Sequence, residues 1–259
     1  MTGNRRVGLV VQDRDRHLLL ELGIMRVIDR EQAKCVAGFG STTRVNSRLL
    51  ALTRVGLLRR FFIGSEAVGK KALYTLSPKG AAFTGTSNQG LRRRRDELSI
   101  ADIFVSHQLK INEIYCILKY RPILFPETKF VRWVSFSEPL ASESALIPDG
   151  YVEIATPRDF VAAFLEVDLG HESRSVWRTK VQSYLRYAVS GDFTKQRNQP
   201  QFRTLVVTNS ERRMNSLRAA TGELTEKILW FTTFDLIARE GFWSPIWQRA
   251  KNDERQPLL

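Results

Sequence analysis

The 259-residue sequence contains little of what builds disulfide-linked, zinc-binding or membrane proteins. It has only two cysteines, Cys35 and Cys116, too few for a disulfide framework or a cysteine-rich zinc site. Both lie in apolar, helix-like stretches and are expected to be core residues. No run approaches the roughly 18 apolar residues of a membrane span, and the opening MTGNRRVGLVVQDRDR is unlike a signal peptide. We therefore expect a soluble, cytoplasmic protein without a membrane partner.

Basic residues are in excess and are unevenly distributed. The chain carries 40 Lys and Arg against 27 Asp and Glu, a net charge of +13. Residues 1–97 hold 19 of these basic and 8 of these acidic residues, which leaves the remainder nearly neutral. A basic segment beside a neutral one predicts two modules, of which the first binds a polyanion, most commonly DNA or RNA. A basic protein that is merely soluble is the alternative.

Residues 1–85 follow the order of a winged helix-turn-helix. Helical spacing begins at Asp13, a short helix ends at two glycines, and a third helix begins after Ser41 and ends at Gly56. Two β-rich stretches, LLRRFFIG and ALYTLSPKG, then flank a loop with Gly and Lys, which is typical of a hairpin. The order predicts a DNA-binding domain, and a winged helix that contacts only proteins is the alternative.

The third helix of such a domain enters the major groove, and the wing lies near the phosphate backbone. The polar residues early in this helix and two wing lysines are therefore the predicted contacts with DNA. They are Thr42, Thr43, Arg44, Asn46, Ser47, Arg48, Lys70 and Lys71. Residues 86–97 are predicted to be a basic linker, in which four consecutive arginines either touch DNA or only begin a solvated helix.

Residues 98–259 are predicted to form a second domain around a mixed β-sheet. A long helical stretch is followed by three β-rich runs, a helix over about 174–189, and further alternating strands and helices. The order α-β-β-β-α-β-α-β-α predicts helices packed against a sheet. The fold class predicted for the whole chain is α+β.

Acidic residues interrupt strands that otherwise look built for burial. Asp149 lies in IPDGYVEIA, and Glu166 and Asp168 lie in FLEVDLG. Residues two apart in a strand share a face, so Glu166 and Asp168 point the same way, and Asp149 joins them if its strand is a neighbour. Converging carboxylates repel one another unless a cation binds, and three hard oxygen ligands suit Mg²⁺ or Mn²⁺. The three acids are therefore a predicted metal site for phosphodiester chemistry.

Lys180 interrupts the apolar face of the following helix, beside Trp177, Val181 and Tyr184. A lysine in this position either extends to the solvent or pairs with buried carboxylates. Pairing would give the one-ammonium, several-carboxylate arrangement of metal nucleases, and an inert buried ion pair is the alternative. Lys180 therefore joins the three acids as a predicted catalytic residue.

The motifs IPDG and FLEVDLG, with Lys180 and YLRY, resemble the PD-(D/E)XK nuclease fold. In this variant Asp168 occupies the usual strand lysine position, and Lys180 looks like a lysine that has moved to the next helix. With the winged helix and HQLKINEIY, the motifs are similar to the replication-relaxation family and to plasmid mobilisation relaxases that lack a catalytic tyrosine. The resemblance covers nearly the whole chain. It implies a restriction-endonuclease-like domain with Asp149, Glu166 and Asp168 as Mg²⁺ or Mn²⁺ ligands, and Lys180 on the transition-state phosphate.

Three functions are compatible with the sequence. The first is a relaxase-like enzyme that nicks double-stranded DNA at an origin-like site of a plasmid or mobile element, in mobilisation, conjugation or replication. Other transfer or replication proteins would be its partners, and homodimer formation is left open. The second is a non-catalytic replication or transcription regulator with a vestigial nuclease fold. The third is a scaffold that docks through Phe242, Trp243 and Trp247, for which packing at the domain edge is the simpler explanation. The retained acids favour the first.

Overall fold

The computed structural model describes residues 9–64, 69–86, 98–141 and 144–259, with backbone alone over residues 98–101. The chain divides into two compact units, Met1–Cys116 and Ile117–Leu259. Both units combine helices with a sheet, which confirms the α+β class. The predicted basic linker lies outside the described residues, apart from Thr86.

The N-terminal unit combines helices with a three-stranded antiparallel sheet of order β1-β3-β2. Side-chain caps fix two of its helix starts, since Asp29 accepts from Gln32 N and Ser41 accepts from Arg44 N. Strand β1 and helix α4 are additions to the sequence prediction. The elements are α1 (Asp13–Met25), β1 (Ile28–Asp29), α2 (Arg30–Val36), α3 (Thr42–Arg54), β2 (Leu58–Ile63), β3 (Lys71–Leu76), α4 (Pro78–Thr84) and most of α5 (Leu98–Tyr120).

Helix α5 contributes to the core of the N-terminal unit. The side-chain amide of the buried Asn112 donates to Met25 O at 3.0 Å and to Val27 O at 2.6 Å. These contacts explain why the division falls at residue 116, whereas the sequence interpretation began the second domain at residue 98. The accompanying apolar cluster consists of Val27, Leu73, Val105 and Leu109.

The two cysteines lie together within this unit. Cys116 is buried and Cys35 is half-buried, and contact with the Cys35 thiol, together with burial, raises the pKa of Cys116. A raised pKa keeps Cys116 in the thiol form, which reacts slowly with electrophiles.

The C-terminal unit is built on a six-stranded sheet of order β4-β5-β6-β7-β8-β9. Strands β6, β7 and β8 run parallel, and the other neighbouring pairs are antiparallel. The mixed sheet agrees with the sequence prediction, to which α7 and β9 are additions. The elements are β4 (Lys129–Val134), β5 (Gly150–Ala155), β6 (Phe160–Asp168), α6 (Arg174–Val189), α7 (Asp192–Arg197), β7 (Arg203–Thr208), α8 (Glu211–Gly222), β8 (Leu229–Thr233), α9 (Phe234–Glu240) and β9 (Gln248–Arg249).

Aromatic packing holds α6 against β6. The Phe164 ring lies 5.0 Å from that of Tyr151, 5.7 Å from that of Tyr184 and 5.0 Å from that of Phe202. All four side chains are buried, and burial of each contributes on the order of 2 kcal/mol. Because Tyr184 is anchored in this cluster, Lys180, one helical turn earlier, is directed toward β6.

Gly150, at the start of β5, lies where the Trp133 ring leaves no room for a side chain. A Cβ atom at this position would lie 2.2 Å from the Trp133 ring of β4. The glycine of the PDG motif therefore lets the Trp133 ring pack directly beside the backbone that carries Asp149.

Candidate active site and nucleic-acid interface

Asp149 directly precedes β5 and is held against β6, the strand that carries Glu166. Its N donates to Leu165 O at 3.1 Å, although Leu165 is already the partner of Gly150, so the regular register ends at Gly150. The Asp149 carboxylate also accepts from Val167 N at 2.7 Å, which fixes it against β6. Leu165 and Val167 flank Glu166, so these two hydrogen bonds place Asp149 beside Glu166, and the Asp149 charge raises the pKa of Glu166.

Glu166 is buried and is held by two donors from α6. Its Oε2 accepts from Lys180 Nζ at 2.9 Å, and its Oε1 accepts from the Tyr184 hydroxyl at 2.6 Å. Lys180 and Tyr184 lie four residues apart and therefore on the same helix face. Of the two alternatives for Lys180, pairing with a buried carboxylate is the one observed.

Glu172, which the sequence interpretation did not select, also belongs to this cluster. It lies in the loop after β6, and its Oε1 is 2.8 Å from Lys180 Nζ. The Lys180 ammonium thus contacts Glu166 and Glu172, the Asp149 charge also acts on it, and acidic charge is in local excess. Such an excess favours binding of a further cation. Helix and strand periodicity could not identify Glu172, because the conformation of a loop brings it to Lys180.

The cluster shifts the pKa values of its members. Burial raises the pKa of Glu166 to about 7, with Asp149 acting in the same direction against Lys180 and Tyr184. Burial lowers the pKa of Lys180, but Glu166, Glu172 and Asp149 together raise it more, so the net shift is upward. Burial and the Glu166 charge raise the pKa of Tyr184 well above its ordinary value. Near neutral pH, Glu166 therefore exchanges a proton, Lys180 remains charged, and Tyr184 is a neutral donor and a poor nucleophile.

Asp168 lies near Glu166 in sequence but is engaged by a different partner. Its two carboxylate oxygens accept from Arg213 Nε and Nη2, each at 2.7 Å, and Oδ1 also accepts from Gly170 N at 2.7 Å. This bidentate pair neutralises the buried carboxylate. Asp168 thus has a charged partner of its own, and metal binding by Asp149, Glu166 and Asp168 stays a prediction. No sequence signal singles out Arg213, which lies in an ordinary basic stretch of α8.

Asp149 and Glu166 could hold a divalent ion only if water and substrate supplied the remaining ligands. Within the described ranges, no group of three or more His, Cys, Asp and Glu side chains is arranged to hold a metal ion. However, Mg²⁺ commonly binds through one or two carboxylates and completes its shell with water and substrate phosphate. A carboxylate offers about four lone-pair positions, of which Glu166 uses two for Lys180 and Tyr184. Asp149 and Glu166 therefore suit an ion of this kind.

Helix α3 of the N-terminal unit presents polar residues to the solvent. The buried residues Val45, Leu49 and Leu52 form its inner face, and Asn46 is half-buried. The exposed side is free of acidic residues in its first turn. Four of the predicted DNA contacts are exposed on this side, namely Thr42, Thr43, Arg44 and Ser47.

Arg48 has a structural partner. Its guanidinium forms a two-point ion pair with Asp15, a fully buried carboxylate of α1, and also donates to Val10 O at 2.6 Å. The Asp15 carboxylate raises the pKa of Arg48. Arg48 thus joins α3 to α1, because an unpaired buried Asp15 would be costly. A contact between Arg48 and DNA stays a prediction.

A groove with four basic and two acidic residues in its lining lies beside α3 and the hairpin of β2 and β3. Its volume is about 610 Å³, and its lining includes Asn46, Arg60, Lys70 and Lys71. Lys71 lies 2.5 Å from the Asp29 carboxylate yet remains half exposed. Arg60, which the sequence interpretation omitted, is exposed on β2 next to this groove. The groove therefore joins predicted helix and hairpin contacts into one surface.

The aromatic C-terminal segment is packed inside its own unit. Phe242 and Trp247 are buried, and Trp247 Nε1 donates to Phe242 O at 2.9 Å. This agrees with packing at the domain edge and disfavours a docking surface there.

The molecule is thus an α+β protein that combines a basic helical unit with an acid-and-lysine cluster on a mixed sheet. A family model described as replication-relaxation matches residues 21–201. This match spans well over half of the chain, which therefore belongs to the replication-relaxation family. Membership associates the chain with plasmid replication or mobilisation and with DNA.

The matched segment contains α3, the hairpin, Asp149, Glu166 and Lys180. No curated protein matches the chain, and no solved structure matches it. Among the described helices, none combines the length and apolar character needed to cross a membrane.

Proposed function

We propose that the chain binds double-stranded DNA of a plasmid or mobile element through its N-terminal unit and nicks one strand by metal-dependent hydrolysis through its C-terminal unit. The observation that carries this proposal is the cluster in which Lys180 Nζ contacts Glu166 and Glu172 beside Asp149. Family membership supports the association with DNA. Transfer or replication proteins and a second copy of the chain are the partners that such a role would involve.

The DNA-binding part of the proposal rests on the order α1-β1-α2-α3-β2-β3 with a sheet of order β1-β3-β2. This is the order of a winged helix, in which α3 enters the major groove and the hairpin lies along the backbone. Arg44 and the neighbouring hydroxyl side chains would reach bases or phosphates, and Lys70 and Lys71 would contact the phosphates.

The chemical part assigns separate roles to three residues. In phosphodiester hydrolysis, a water oxygen attacks phosphorus, the bond to one sugar oxygen breaks, and that oxygen gains a proton. The Lys180 ammonium would stabilise the negative charge that grows on the phosphate oxygens. Tyr184 would hold the Glu166 carboxylate in orientation. A Mg²⁺ or Mn²⁺ ion held by Asp149 and Glu166 would supply an acidified water and further positive charge.

A non-catalytic regulator is the second function with a specific observation in its favour. Both Glu166 oxygens already accept from protein donors, and Asp168, at the position of the usual strand lysine, is neutralised by Arg213. A vestigial nuclease domain that only supports DNA binding would retain such satisfied ion pairs. The two functions differ in whether DNA is cut.

The discriminating experiment uses supercoiled plasmid that carries an origin-like region from the same replicon. Nicking is followed with Mg²⁺ or Mn²⁺ and with a chelator, for the wild type, Glu166→Gln and Lys180→Met. Lys195→Met is the matched control, because Lys195 is exposed and lies outside the cluster. Metal-dependent nicking that Glu166→Gln and Lys180→Met abolish, and Lys195→Met retains, is the expected result. Site-specific binding without nicking in any of these proteins would establish the regulator instead.

A further inference from the structure

Three side chains form a cationic and aromatic ladder on one face of the C-terminal sheet. Arg249 of β9 pairs directly with Trp230 of β8, and Trp230 pairs with Leu205 of β7, two residues after Arg203. The guanidinium carbons of Arg203 and Arg249 lie 5.0 Å and 4.5 Å from the Trp230 ring centre. Both cations therefore stack on one buried indole.

Within the described residues, Arg203 and Arg249 lack the acidic partner that Arg48 and Arg213 possess. Arg48 and Arg213 each bind a carboxylate, whereas no carboxylate of the described residues lies within 4.0 Å of Arg203 or Arg249. Arg203 donates to Leu258 O, and Arg249 Nη2 donates to Glu226 O at 3.1 Å. Backbone carbonyls are dipoles and do not neutralise a charge.

The pKa shifts and hydrogen bonding of Arg203 and Arg249 are those expected of two cations without an acidic partner. Burial and repulsion by Arg249 lower the pKa of Arg203, and burial lowers the pKa of Arg249. The Nε atom of Arg249 is buried without a hydrogen-bond partner. A half-buried guanidinium without an acidic partner costs free energy, so its presence suggests a ligand that supplies the missing negative charge.

A cavity of about 340 Å³ lies against this ladder. It is open to solvent, and its lining contains Lys227 and Gln201 but no acidic residue among the described positions. Phe160, at its edge, precedes Glu166 by six residues on β6, which corresponds to about 20 Å. The cavity is therefore separate from the acid-and-lysine cluster, and the family match ends at residue 201, before all three ladder residues.

We propose that Arg203 and Arg249 bind a phosphate group, and that the backbone of single-stranded DNA supplies it. Guanidinium groups bind phosphate through paired hydrogen bonds, and two of them facing an acid-free cavity provide the charge and the donors. Two guanidinium groups already lie over the Trp230 ring, so the site recognises the phosphate rather than a stacked base. This proposal is independent of cleavage, since it assigns a strand-binding site that the winged helix and the acidic cluster do not provide.

The first test measures the binding of a labelled oligothymidylate to the full-length chain by fluorescence anisotropy over a range of salt concentrations. Arg203→Gln/Arg249→Gln is compared with Arg174→Gln/Arg239→Gln, a control that removes two exposed arginines with acidic partners. We expect the first variant to bind about tenfold more weakly or worse. Its salt slope should fall by about 0.7 for each phosphate that the variant no longer binds. Arg203→Lys/Arg249→Lys should recover most of the slope. Equal affinity and slope in the first variant and its control would overturn the proposal.

The second test separates a ligand site from a packing role. Thermal unfolding is followed in phosphate and in chloride at equal ionic strength. Phosphate should raise the Tm of the wild type but not that of Arg203→Gln/Arg249→Gln, whose own Tm in chloride should equal or exceed that of the wild type. A lower Tm with unchanged oligothymidylate binding would show that the arginines serve packing alone and would overturn the proposal.

Competition identifies the source of the phosphate. If thymidine 5′-monophosphate displaces the oligothymidylate only at far higher concentration, the strand backbone is the ligand. Displacement at similar concentrations would overturn the strand assignment and make a free nucleotide the ligand of the same arginines. None of these measurements requires nicking, so failure here and failure of the proposed nuclease activity are distinguishable.

Discussion

The Lys180 ammonium donates to Glu166 Oε2 at 2.9 Å, with the carboxylate almost fully buried and the lysine only partly exposed. This pair joins α6 to β6, and Asp149 and Glu172 add further acidic charge around the ammonium. A buried ion pair contributes little net stability, because desolvation offsets the attraction. Stability alone therefore does not account for a lysine and a glutamate buried together at this position.

Lys180→Met should destabilise the chain in a pH-dependent way. The substitution leaves Glu166 without its cation, which should lower the free energy of unfolding by about 3 kcal/mol at pH 8, where Glu166 is ionised. At pH 5 the protonated Glu166 needs no cation, and the loss should be smaller. Urea unfolding at the two pH values measures this difference, and equal losses would contradict the ion pair described here.

Glu166→Gln should remove a pH dependence of stability. Because the folded pKa of Glu166 is raised to about 7 from an ordinary value near 4.5, the folded state binds more protons than the unfolded state between these values. Wild-type stability therefore falls as pH rises through this window, by at most about 1.4 kcal/mol per pH unit from this group. The glutamine variant should lack this component. Parallel stability curves from pH 4 to 8 would argue against the raised pKa.

Arg213→Met should destabilise the chain more than a matched double substitution. Alone, it leaves the buried Asp168 carboxylate without its partner, which costs about 3–5 kcal/mol. Asp168→Asn/Arg213→Gln removes both charges and retains hydrogen-bonding groups, so its loss should be clearly smaller. Guanidinium unfolding of the three proteins tests this. A double variant as unstable as Arg213→Met would indicate that charge pairing is not what Arg213 contributes.

Gly150→Ala should destabilise the chain next to Asp149, because the new methyl group would displace the Trp133 ring. The added methyl group overlaps the Trp133 ring, and relief of the clash should cost about 1–3 kcal/mol. Trp133→Val in the same chain makes room for the methyl group and should restore part of the stability. Thermal unfolding and tryptophan fluorescence report the effect, and full stability of Gly150→Ala alone would show that Trp133 moves freely.

Local sequence rules predicted the parts of the fold that local physics controls. Ser41 caps α3, and α6 runs from Arg174 to Val189, as predicted from the serine before α3 and from the periodicity of α6. The apolar stripe of α6 also predicted that Lys180 would face β6. In these cases the deciding contacts lie within a few residues of each other.

Contacts between segments that are distant in sequence could not be predicted from local sequence patterns. Arg213 reaches Asp168 only because α8 follows β7 back across the neighbouring strand, and Arg48 reaches Asp15 only because α3 lies beside α1. Both arginines stand in sequence stretches typical of solvent-exposed helix faces. The Arg203–Trp230–Arg249 ladder likewise depends on the pairing of β7, β8 and β9, which no short motif encodes.

The most direct test of the central claim, that Asp149, Glu166 and Lys180 form the working site and Asp168 does not, is a parallel nicking assay. Asp149→Asn, Glu166→Gln and Lys180→Met are compared with Asp168→Asn/Arg213→Gln on the same supercoiled plasmid in Mn²⁺. Each of the three single variants should lose at least about a hundredfold in rate, whereas the double variant should retain wild-type nicking to within a small factor. Loss of nicking in the double variant equal to that in Glu166→Gln, with its fold intact, would contradict the claim.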